Sequence, residues 1–175
     1  MKKLAITSAI IATLALTACA KPVTTVEAGS SVLNIPTQQV DSSKQILDDV
    51  KLIQSVGMNQ QDAAVSLQQR MEAAMQKQDK AEMAKLAVEF KSFVTSANQK
   101  FSQLDLKTED GKALRDAVIN NSNIGLEVSQ VILNKTEAEV DPQQMQALQE
   151  KAMAAQEKLM QISETIHAKV QGVHP

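Results

Sequence analysis

Few side chains in this 175-residue chain pair a reactive group with a telling position. The only thiol is Cys19, and a thiolate is a nucleophile that can be alkylated, acylated or oxidised. Histidine occurs at 167 and 174 alone. An imidazole and a thioether can together hold haem iron, so Met58 and His167 form one candidate pair. Thioether sulfur also suits copper(I), which makes Met71, Met75, Met83, Met145, Met153 and Met160 candidates, Met71 and Met75 above all at i,i+4. Adjacent acids stand at Asp48-Asp49 and Glu109-Asp110, where helix surfaces or caps, solvation and the helix dipole account for them. Catalysis has little to draw on. There is no His pair at i,i+4, no spacing for a His-containing triad and no glycine-rich phosphate loop. With five glycines in the chain, few loops exist to host a reaction. No enzyme activity, catalytic residue, cofactor or metal is expected.

The position of Cys19 gives it meaning. Lys2 and Lys3 precede an apolar run, Leu4 to Leu16, too short to span a bilayer and of the length of a secretory signal. The run ends Leu16-Thr17-Ala18-Cys19. These residues resemble the lipobox of bacterial lipoproteins at every position. The resemblance implies that residues 1–18 are removed and that Cys19 carries the lipid, palmitate among its acyl chains. In that class an Asp directly after the cysteine favours retention in the inner membrane. Ala20 stands there instead, so the resemblance implies an outer-membrane protein, facing the periplasm. Some members of the class also tether to peptidoglycan through a C-terminal Lys, and this chain ends Val173-His174-Pro175.

Removing 18 of 175 residues leaves 157, room for one domain. Two of the 18 basic residues go with the signal, so 16 remain against 20 acidic ones. A mildly acidic surface attracts neither nucleic acid nor anionic lipid headgroups. Trp and Tyr are absent and Phe occurs only at 90, 93 and 101, so stacking platforms are scarce. With the lone cysteine lipidated no disulfide forms, and apolar packing must hold the domain.

Residues 19–41, with Pro22 and Pro36 and no helical period, read as a lipidated cysteine followed by a flexible linker. Val32-Leu33-Asn34-Ile35 is its one apolar patch and a candidate for docking on the domain. The domain occupies 42–172. Its first helix, capped by Asp41 or Ser42, carries Ile46, Val50, Ile53 and Gly57. Gly57-Met58-Asn59 reads as a stop and a new N-cap, with Asp62 at N3. One kinked helix is the alternative, because Ala64, Leu67, Met71 and Ala74 continue the stripe. That segment ends near Lys77. Asp79 and Glu82 form a capping box for a helix with Ala87, Phe90, Val94, Ala97, Phe101 and Leu104 on one face. Leu106-Lys107 turns the chain and Thr108 caps the next helix, with Glu109 and Asp110 against its dipole. That helix has one stripe at Leu114, Ala117, Asn121, Ile124, Val128 and Val131 and another at Ile119, Leu126 and Leu133, so it should lie centrally. Asp141-Pro142 opens the last helix, whose heptads run Met145, Leu148, Ala152, Ala155, Leu159, Ile162, Ile166 and Val170 up to Gly172. Residues 173–175 should fray. Short links between long amphipathic helices predict an all-α, up-down antiparallel bundle of four to five helices.

On that layout the start of the second segment lies beside the end of the last helix, bringing Met58 towards His167. The arrangement loosely resembles the cytochrome b562-type haem proteins, in topology and the two ligand types alone. A surface histidine and a helix-end methionine is the simpler reading. Core packing likewise outweighs copper for the methionines, most of which sit on or beside a seam. Asn121, the one polar break in an apolar stripe, either fixes register, as a buried Asn does in coiled coils, or marks a locally solvated face. The leading expectation is a non-enzymatic, lipid-anchored envelope domain that binds another envelope protein or serves assembly or stress. The alternatives are a haem or copper carrier, and a structural homo-oligomer joined through the 145–170 heptads.

Overall fold

The computed structural model describes residues 37–134 and 141–172, and side chains from 42 to 132 and from 141 to 172. Five helices fill this range: α1 (Thr37–Met58), α2 (Gln61–Lys77), α3 (Lys80–Ser102), α4 (Glu109–Asn134) and α5 (Pro142–Gln171). No strand occurs among the described residues. The all-α bundle expected from the periodicity is what forms. Cys19, the 32–35 patch and the 173–175 tail lie outside the described residues.

Several helix ends follow from local chemistry read directly in the sequence. The Asp79 carboxylate accepts the Glu82 backbone N–H at 3.0 Å and starts α3. Asp141 accepts from the Gln143 N–H at 2.9 Å, with Pro142 behind it, and starts α5. Gly172, at φ 69°, closes α5 in the left-handed region that glycine enters at least cost. Gln78 closes α2 at φ 53° without that advantage.

Two starts differ from expectation. α1 begins at Thr37, ahead of the expected Asp41 or Ser42 cap and inside the stretch read as linker. Pro36 directly precedes it, where a missing N–H costs a helix nothing, and Gln38-Gln39 are good helix formers. α2 is capped by Gln60 rather than Asn59, and with no side-chain cap bond. Gln60 is buried, and its Nε2 donates to the Val56 carbonyl at 3.3 Å, an acceptor the ending α1 leaves free. The continuous apolar stripe is thus cut at Asn59-Gln60 into two helices.

That cut sorts the interior into two cores. The first joins Ile46 and Ile53 of α1, Ala97 and Phe101 of α3, Leu106 of the link between α3 and α4, Leu114 and Val118 of α4, and Ile166 of α5. The second joins Leu67, Met71 and Ala74 of α2 to Leu86, Phe90 and Val94 of α3, with Leu126 of α4 against them. α3 serves both. α4 packs along α3 and α5, while α2 finds its main partner in α3. α4 is the central helix its two stripes predict: Ile119 packs on the first core and Leu126 on the second. The α5 heptad faces inward, but only Ala155 and Ile166 are fully buried, and no described α5 residue joins the second core.

Candidate functional site

Ile46, Asp49 and Ile53 share one face of α1 at helical spacing, which carries the Asp49 carboxylate into the interior beside the first core. Asp49 is 1 % exposed, the only titratable group that is buried among the described residues. It meets the N-terminus of α4, where four backbone N–H groups lack helical partners. The carboxylate accepts from the Lys107 N–H at 3.0 Å and the Thr108 N–H at 2.8 Å. The Thr108 hydroxyl donates to it at 2.6 Å and itself accepts from the Gly111 N–H at 3.0 Å. Thr108 is therefore the cap its sequence predicts, and Asp49 caps the same helix from across the bundle.

Gly111 makes the approach possible. A Cβ there would stand 2.7 Å from the Asp49 Cβ and 2.8 Å from its Cγ. Burial pushes the Asp49 carboxyl upward, but the Thr108 hydroxyl, the Lys107 and Thr108 amides and the Lys107 charge together hold it below the usual carboxylate range. The α4 N-terminus adds a favourable dipole. The charged form is favoured, with every donor supplied by its own chain.

The expectation that Asp48-Asp49 and Glu109-Asp110 lie at surfaces or caps holds for three of the four. Asp48 pairs with Lys51, Glu109 with Lys112 and Asp110 with Lys169, all at partly or fully exposed positions. Asp49 is the correction. The signal was available: an acid at i+3 from Ile46 and i−4 from Ile53 sits on an apolar stripe, and Thr108-x-x-Gly111 leaves room at a helix start.

Other candidates disperse. Met58 is 63 % exposed and His167 is exposed as well, so neither belongs to either core. Met71 is buried in the second core and Met83 packs against it, as core packing predicts. Met153 and Met160, expected on or beside a seam, stand 63 % and 56 % exposed. No group of three or more His, Cys, Asp or Glu is placed to hold a metal among the described residues. Asn121 is 5 % exposed and Ser122 is buried beside it, its hydroxyl donating to the Val118 carbonyl, so that part of α4 is not a solvated face. An extended ion cluster lies outside: Arg70 of α2 bridges Glu82 at 2.9 Å and Glu89 at 2.6 Å on α3.

An envelope-type leader ahead of an all-helical domain without a membrane-crossing helix among its described residues is the build of a bacterial lipoprotein. The chain belongs to the family described as uncharacterised lipoprotein PM1805, whose model matches residues 47–171. The matched span opens two residues before Asp49 and closes with α5, so it takes in the whole Asp49, Thr108 and Gly111 junction. No curated protein and no solved structure matches the chain.

Proposed function

We propose that this lipoprotein is anchored through a lipid on Cys19 to the outer membrane, facing the periplasm, and that its bundle is a non-enzymatic binding or assembly module. Asp49 carries the reading. The one buried titratable group among the described residues faces internal donors alone, and so serves the fold instead of a substrate. The lipobox resemblance and Ala20 support the anchor and its destination.

Three measurements test this. Labelled palmitate should enter the wild-type chain and not a Cys19→Ala variant, and label retained by the variant would overturn the anchor. Ala20→Asp should move the protein from outer to inner membrane fractions, and an unchanged distribution would overturn the sorting. Affinity capture from crosslinked envelopes should then recover the bundle with a defined envelope protein or with a second copy of itself. Recovery of the monomer alone would count against a binding role.

A further inference from the structure

Four features of α2 point the same way. Two of the four side chains it buries, Ala64 and Ala74, are alanines, so Leu67 and Met71 supply most of its apolar contact. Its main partner is α3, whereas α1 lies against α3, α4 and α5. Its first turn follows Gln60 without a side-chain cap, and its last turn hands over to Gln78 in the left-handed region, where a Cβ is strained. Its polar fastening, Arg70 to Glu82 and Glu89, stays open to water. Few buried contacts between weak ends set a low free energy of local opening. No described α2 residue joins the first core, so that core persists when α2 leaves.

What opening uncovers is a formed surface. Leu86, Phe90 and Val94 follow one another at i,i+4 along α3, with Leu126 of α4 beside them. Glu82 and Glu89, one heptad apart, share an edge of that strip. An apolar strip with two carboxylates along one edge suits an amphipathic helix that is apolar on one face and basic beside it. α2 itself shows the match: Leu67 and Met71 pack on the strip, and Arg70 bridges both glutamates. We infer that α2 is a releasable cover over the second core, and that the strip it vacates on α3 receives an amphipathic helix of an envelope partner, with an arginine or lysine beside its apolar face. This rests on the binding role proposed above and gives it a place in the bundle. The partner helix and α2 compete for one strip, so binding and release are two sides of one equilibrium.

The test uses the full-length protein in lipid nanodiscs, with a fluorescent peptide of the α2 sequence, residues 61–77, as the probe. Hydrogen exchange should show the α2 amides opening about a hundredfold faster than those of α3. Arg70→Glu in the protein sets a third carboxylate against Glu82 and Glu89, loosens the cover and should raise peptide binding about tenfold. The same change in the peptide should lower binding about tenfold. Arg70→Cys with Glu89→Cys, both at partly exposed positions, allows a short bis-maleimide to tie α2 shut. Peptide binding should be present before the bridge forms and lost after it. Protection of α2 equal to that of α3, binding that survives the bridge, or no binding to the Arg70→Glu protein would each overturn the proposal. If the peptide fails while envelope capture still recovers a defined partner, this site falls and the binding role stands.

Discussion

The two cores bury similar side chains and are held at their polar edges in opposite ways. Around the first, α1 is fastened by a buried carboxylate that ends inside a helix N-terminus. Beside the second, α2 is fastened to α3 by Arg70 and two glutamates that remain a third to a half exposed. Water competes for the second arrangement and is excluded from the first. A buried anion with matched donors is costly to disturb, because the donors lose their partner and cannot regain solvent. An exposed fork that opens is rehydrated at once. The junction at Asp49 should therefore be specific and brittle, and that at Arg70 tolerant.

The most severe test is Asp49→Ala, which orphans the α4 N-terminus and should destabilise the domain by about 3 kcal/mol in urea titrations. Hydrogen exchange should show the loss first in α1 and at the start of α4. Uniform loss across α2 and α3 would erase the contrast between the cores. Gly111→Ala comes next, at about 2 kcal/mol, because its methyl must displace the carboxylate it faces. The pair should be non-additive, with Gly111→Ala nearly harmless once Asp49 is Ala.

Acid should separate the regions too. The Asp49 carboxyl is lowered in the folded state, so its stabilisation is complete above the ordinary carboxylate value of 3.8 and fades as pH falls through the depressed one. Wild type should lose more stability than Asp49→Asn on acidification through that window, and parallel curves would rule the linkage out. Arg70→Gln should have a smaller effect than any of these at neutral pH, and one that shrinks further in high salt. Smallest of all, and opposite in sign, Gln78→Gly should raise stability by about 0.5 kcal/mol by relieving the left-handed residue at the end of α2. A melting curve that falls instead would mean the Gln78 side chain contributes more than its backbone costs.

Much of this architecture was legible because it is written in local chemistry. Asp79 with Glu82, Thr108 with Gly111 and Asp141 with Pro142 each start a helix using residues within one turn. The stripes of α3 and α4 recur often enough to name their buried faces. What the sequence hid is long-range or permissive. Asp49 and Thr108 are 59 positions apart, and nothing local says that a carboxylate in α1 completes a helix in α4. Gln60 caps α2 by backbone position alone, so residue type gave no sign of it. Met153 and Met160 looked like core residues because methionine suits a core and a surface equally well. The extent of α5 was plain, and its heptad named the face that turns inward.

One consequence of the α1 position is mechanical. In a lipoprotein the attachment precedes the first helix, so any pull between the domain and its membrane enters the bundle through Thr37. α1 does not hang from the domain by its end. It lies along α4 and α5, held by Ser43 to the Lys169 carbonyl, by Asp49 to the start of α4 and by Ile46 and Ile53 in the first core. Tension on that helix is met in shear, as in a lap joint, where all the contacts share the force together instead of tearing one after another.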